Sequence, residues 1–197
     1  MATTLQNFGI PMGDGTGRGG ILQPKTKYKF RVVVSNFGTP GSTIAFTQQV
    51  MKVNRPSATF APVEVHSYNS RAYYASKPEW QETDLTLRDD VTNAVAALVG
   101  AQLQKQMNFF QQTSPLSGGN YKFQMLVDTL DGGDDTTLEE WVYEGCFLSS
   151  VGYDDFDYAS SDPMTIILKI RYDNVTQSGG LMPILPIQTS SNGGMQF

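Results

Sequence analysis

Three sets of residues carry side chains or spacings that could do chemistry. Gly15, Gly17 and Gly20, within the run GDGTGRGG, satisfy G-x-G-x-x-G. In that spacing glycine lets the backbone approach a pyrophosphate, and the N-terminus of a following helix supplies free N–H groups. Such a loop has to leave a buried strand and open a helix. Here MATTLQNFGIPM precedes it, with Pro11 and no apolar run. ILQPKTKYKFRVVV follows, broken by Pro24 and then alternating as a strand does. Ile21 stands where a Walker-type loop needs lysine. The run therefore reads as a flexible arm, or as one that a partner orders. The second set is single residues. One cysteine, Cys146, excludes an internal disulfide and a multi-cysteine metal site. It lies in the apolar run WVYEGCFLSS and reads as a small buried hydrophobe. The one histidine, His66, has no nucleophile marked beside it and reads as a surface or satisfied side chain.

The third set is the carboxylates. No Lys or Arg occurs from Phe123 to Leu168, while that segment holds eleven Asp and Glu residues. Residues 1–122 carry twelve Lys and Arg against seven Asp and Glu. The whole chain has a formal net charge of -5, which argues against general nucleic-acid binding. The acidic residues include Asp131, Asp134 and Asp135 in DTLDGGDD, and Asp154, Asp155 and Asp157 in DDFDY. Neither run meets the EF-hand spacing. A glycosidase would use paired carboxylates, but no sugar-binding aromatic cleft is recognisable around these. The electrostatic reading is that a basic half and an acidic half suit contacts between copies, where unlike faces meet. Acidic loops would also line a surface that must not hold DNA, because like charges repel. No cofactor and no metal are expected.

The elements that would position these groups are mostly strands. The 197 residues suit one domain with a sizeable core. Tyr28 to Ser35 alternates as a strand, and Ile44 to Val53 is a second candidate. Val63 to His66 and Arg71 to Tyr74 flank Tyr68-Asn69-Ser70, a hairpin pattern with aromatic residues near its tip. Trp80 to Leu87 alternates again. Asp89 or Asp90 is placed to cap a helix whose apolar stripe runs through Val91, Ala94, Val95, Leu98, Leu103, Met107 and Phe110. Tyr121 to Val127, Leu138 to Leu148 and Met164 to Tyr172 complete about seven strands. The tail is rich in Gly, Ser, Pro and Asn and contains LMPILPI, which its prolines keep out of a sheet interior. Sequential strands around one helix predict an antiparallel sandwich or barrel. No basic stretch followed by an apolar one opens the sequence, and no apolar run approaches the length of a membrane span. A soluble compartment and no membrane insertion are expected.

In this order the elements resemble the tail tube proteins of contractile-tailed bacteriophages, which are related in fold to pyocin tubes and the type VI secretion tube. The likeness is carried by KYKFRVVVSNFG, FTQQVMKVNRPSATFAPVEVHSYNSR, PEWQETDLTLRDDVTNAVAALVGAQLQKQMNFF, and YKFQMLVDTL followed by WVYEGCFLSSVGYDDFDYASSDPMTIILKIRYDNV. It spans roughly residues 25–175, several weak signals agreeing in order. It implies one α+β domain, with two antiparallel sheets forming a sandwich or barrel-like subunit, one helix and a long hairpin. Residues 1–24 would be an arm and 176–197 an extension. Hexameric rings would stack into the inner tube of a tail, assembled in the host cytoplasm and carried in the virion. Phage DNA would transit it without specific binding. Sheath, baseplate and terminator proteins would be its other partners. The resemblance makes the hairpin, with His66, Tyr68, Arg71, Tyr73 and Tyr74, the contact between rings, and brings no catalytic residue. A tube initiator or terminator, or a secretion-type tube, would share the fold.

Overall fold

Alternation decides most of the architecture. In strand β1 (Phe30–Ser35), Val32 and Val34 are buried while Arg31 and Val33 point the other way. The same period-two pattern buries Thr83, Leu85 and Leu87 of β6 (Thr83–Arg88), and Phe123, Met125 and Val127 of β7 (Phe123–Leu130). In β9 (Thr165–Arg171) it buries Ile166, Leu168 and Ile170. Each of these Val, Leu, Ile, Phe and Met side chains, fully buried, contributes about 1.5–3 kcal/mol. The computed structural model describes residues 25–131 and 137–178. The Gly-rich run of residues 1–24, Asp134, Asp135 and LMPILPI lie outside the described residues.

The remaining described strands are β2 (Thr43–Ala45), β3 (Val50–Val53), β4 (Ala58–Ser67), β5 (Ser70–Trp80), β8 (Thr137–Tyr153) and β10 (Asn174–Ser178). All pairings are antiparallel. One sheet runs β2-β1-β7-β8-β9-β6-β3, with β10 also on β8, and β4 and β5 form a second, two-stranded sheet. The large sheet is not closed into a barrel and folds on itself as a sandwich around a single core.

The fold line is Gly145. Strand β8 has 17 residues; up to Cys146 it pairs with β7 and β10, and from Phe147 it pairs with β9. Gly145 sits at φ +65° at the corner between them. The Asp173 side chain occupies the place that a Cβ at Gly145 would need. Asp173 itself lies at the matching corner between β9 and β10, and its N–H donates to the Glu144 carbonyl at 3.0 Å. Strand β8 and the β9–β10 segment therefore bend together at one point, and the bend turns one ribbon into two layers.

The helix is shorter than its apolar stripe predicts. Helix α1 spans Ala94–Gln106 and buries Val95, Val99 and Gln102, an i, i+4, i+7 face. Val91 and Phe110 lie outside it, fully exposed, and Met107 is already extended backbone. Asp90 serves the helix start: its Oδ1 accepts from the Thr92 hydroxyl at 2.7 Å and from the Ala94 N–H at 3.1 Å. Those two bonds hold the Asp90 carboxyl below its ordinary value. Two glutamines dock the helix. Buried Gln102 accepts from the Gly38 N–H at 3.0 Å and donates to the Tyr121 carbonyl at 2.7 Å. Gln106 accepts from the Leu148 N–H at 2.8 Å and donates to its carbonyl at 3.0 Å, so a side-chain amide occupies the β8 edge in place of a strand.

Three further boundaries differ from the sequence reading. The candidate strand Ile44 to Val53 is split by a 3-10 turn at Phe46–Gln48, which turns Phe46 into the core. The stretch Trp80 to Leu87 is divided between the end of β5 and β6. The polar segment after Asp173 contains β10, which carries one buried side chain, Val175.

Candidate functional site

Strands β4 and β5 are ten and eleven residues long, and among the described residues they pair only with each other. At the usual rise per residue the hairpin extends roughly 33 Å. Its register places His66 opposite Arg71 and Ser67 opposite Ser70, which leaves a two-residue turn, Tyr68-Asn69. Tyr68 has φ +45° and its ring is wholly exposed at the tip. A register shift between Phe60 and Pro62 adds local twist near the base.

Directly opposed residues share a face, so the register sorts the hairpin into two. One face carries Val63 opposite Tyr74 and Val65 opposite Ala72. Its large side chains are about half exposed, Val65 at 46% and Tyr74 at 61%. The other face gathers charge around Glu64, which lies opposite Tyr73. The Glu64 carboxylate accepts from the Tyr73 hydroxyl at 3.4 Å and lies 3.2 Å from the Arg71 guanidinium and 3.8 Å from His66 Nε2. The residues expected for this contact are therefore divided. His66, Arg71 and Tyr73 join the polar cluster, Tyr74 joins the apolar face, and Tyr68 forms the tip. Sequence reasoning missed Glu64, the hub of the cluster, and the apolar pair Val63 and Val65. Alternation along β4 was the signal that could have found them.

The acidic residues fall at opposite ends of β8. Asp131 follows β7, before β8 begins, whereas Asp154, Asp155 and Asp157 follow its end. Roughly 50 Å of strand contour separates the two loops. Asp154 is structural. Its Oδ2 accepts from the Thr165 N–H at 3.3 Å and hydroxyl at 3.1 Å, and its Oδ1 from the Asp155 N–H at 3.1 Å. Asp157 accepts from the Ala159 N–H at 2.9 Å. Beside these carboxylates Phe156 and Tyr158 are almost fully exposed.

Two other acidic residues of the same segment are buried and neutralised from the basic half of the chain. Arg31 donates through Nε and Nη2 to Asp128 Oδ2 at 2.9 and 2.8 Å. Glu139 accepts from Lys25 at 2.8 Å and from the Trp141 indole N–H at 2.5 Å, with Arg55 at 3.6 Å. Burial pushes Glu139 up, but those donors and the Arg55 charge outweigh it and hold the carboxyl below its ordinary value. The halves read from the sequence are thus partly stitched together inside one subunit. Lys25, Lys27 and Lys29 ahead of β1, with Lys52 and Arg55 around the end of β3, are gathered along a groove of about 650 Å³ also lined by Phe30, Met51 and Val53.

Cys146 is fully buried, and burial pushes its thiol up to about 12, which keeps it protonated and a poor nucleophile. Among the described residues no group of three or more His, Cys, Asp or Glu side chains is placed to hold a metal ion. No helix among them is long and apolar enough to cross a membrane.

No family model and no curated protein matches this sequence. Solved structures do match in fold. A chain of the anti-feeding prophage tube-terminating cap superposes with a TM-score of 0.62 at 13% identity, covering 86% of this chain and all of its own length. A chain of the six-fold symmetrised anti-feeding prophage baseplate gives 0.61 at 13% identity, with 82% and 99% covered. A chain of the sheath-tube complex of an extracellular contractile injection system gives 0.56 at 15% identity, with 81% and 94% covered. The fold is a tube-related one.

Proposed function

We propose that this chain is a structural subunit of the inner tube of a contractile phage tail. Six copies close into a ring, and rings stack into a hollow channel through which DNA passes without specific contacts. The observation that carries this reading is the hairpin. A two-stranded ribbon with a bare apolar face is marginal in water by itself. Exposed strand edges are normally blocked, and here β4 and β5 leave theirs for a neighbour to extend. Covering Val63, Val65 and Tyr74 against the next ring would stabilise both partners. Sheath, baseplate and terminator proteins complete the particle, which assembles in the host cytoplasm. The acidic loops face neighbouring copies or the lumen. The chain is not an enzyme under this reading, in keeping with the inert setting of Cys146.

A second reading, a ring that initiates or terminates a tube, draws support from the fold match to a terminating cap. Negative-stain electron microscopy of the purified chain separates the two. Hollow tubes are expected under the first, and single six-fold rings under the second. A monomer at every concentration and salt tried would overturn both.

A further inference from the structure

The lysine-rich groove and the acidic, aromatic loop are two separate surfaces of the subunit that share no residue. The loop joins Tyr153 to Thr165, beside the row in which Tyr153 pairs Ile166, Ile166 pairs Leu87 and Leu87 pairs Val50. The groove takes in Met51, Lys52 and Val53 of β3 and continues past its end, where Asn54 and Arg55 leave the sheet. A subunit's loop is pinned at its own end by Asp154 and by the turn at Asp157.

We propose that the groove receives the 153–162 loop of a second copy of this chain, the two surfaces joining copies head to tail. This deepens the tube reading above and rests on it. Charge and shape both match. Lys27 and Lys52 stand on the groove rim, and Asp155, Asp157 and Asp162 on the loop. Phe156 and Tyr158, almost fully exposed in their own subunit, meet the apolar lining of Phe30, Met51 and Val53 with ammonium groups beside it. Two unlike surfaces on one body make a heterologous contact, which closes into a ring or continues as a filament. Exposed charge pairs are screened by salt, so the contact weakens as ionic strength rises.

The test reverses charge on each side of the full chain. Lys27→Glu with Lys52→Glu, and separately Asp155→Lys with Asp157→Lys, are each expected to raise the concentration needed for assembly at least tenfold by sedimentation. The chain carrying all four changes is expected to recover assembly. Single-side variants that assemble like the parent, or a four-fold variant that does not recover, would overturn the proposal. Mixing a Lys52→Cys chain with an Asp155→Cys chain gives an independent readout on soluble protein, because Cys146 is buried. A disulfide-linked heterodimer is expected on mild oxidation, and its absence would overturn the contact. A cross-link without rings or tubes would instead refute the tube reading and keep the contact. A groove that pairs only after residues 1–24 are removed, or that binds single-stranded DNA with assembly unaffected by the reversals, would also overturn it.

Discussion

Gly145, Gln102 and Glu139 each do a job that one substitution can expose. A Cβ at Gly145 would meet Asp173 and would hold an alanine in left-handed backbone. The conformation alone costs about 1–2 kcal/mol, so Gly145→Ala is expected to lower stability by about 2 kcal/mol or more, read as a denaturant midpoint. Gln102→Leu keeps the volume but takes the partner from the buried Gly38 N–H and the part-buried Tyr121 carbonyl. That costs about 1–3 kcal/mol per group, measured the same way. Glu139 has a folded-state value below its ordinary 4.5. A depressed carboxyl stabilises the fold above its unfolded value and loses that contribution as pH falls through the folded one. Acid unfolding should therefore draw on Glu139 below pH 4.5, and Glu139→Gln should flatten that limb of the stability curve. These residues were only partly legible. Glycine at 145 was visible, but its positive φ follows from which strands flank it, and Gln102 read as an ordinary polar helix position.

At the scale of the element, the hairpin and the helix differ in what supports them. The helix is anchored by Gln102 and Gln106 and by Val95 and Val99 in the core. The hairpin has cross-strand bonds and one polar cluster, with its apolar face in water. Hydrogen exchange on the unassembled chain is expected to show Val63 to Tyr74 exchanging many times faster than β9, with protection rising on assembly. Val65→Lys with Tyr74→Glu should block assembly while leaving the thermal transition of the subunit unchanged within about 0.5 kcal/mol, as surface changes do. A lowered transition would show that the ribbon helps hold the subunit together. The hairpin was legible because alternation and a short turn are local signals. The helix ends were not, since Val91, Met107 and Phe110 keep helical spacing in the sequence although the backbone there is not helical.

Across the whole molecule, the order β2-β1-β7-β8-β9-β6-β3 puts late strands in the middle. Strand β9 joins β8 to β6, so the N-terminal strands β6 and β3 have no place in the sheet without it. A chain ending at Asp162 is expected to lack a cooperative thermal transition by circular dichroism, although it keeps the helix and eight strands' worth of sequence. A sharp transition in that truncation would mean that the β1, β7 and β8 layer folds alone. The same topology carries the acidic loops apart. They look like one cluster in the sequence, and the bent β8 sets them at opposite ends.

The sequence by itself determined the strand faces, the helix after Asp90, the hairpin and the buried place of Cys146. Each of these is set by a period of two or about 3.6 residues, or by a short turn, within one stretch of chain. The tertiary structure alone decided the rest. It set the corner at Gly145 and Asp173, the recruitment of β10, and the neutralisation of Asp128 and Glu139 by Arg31 and Lys25. It also gathered lysines from two distant segments along one groove. Every one of these joins residues far apart in the chain, and no local pattern records which distant partner a strand edge or a buried charge will meet.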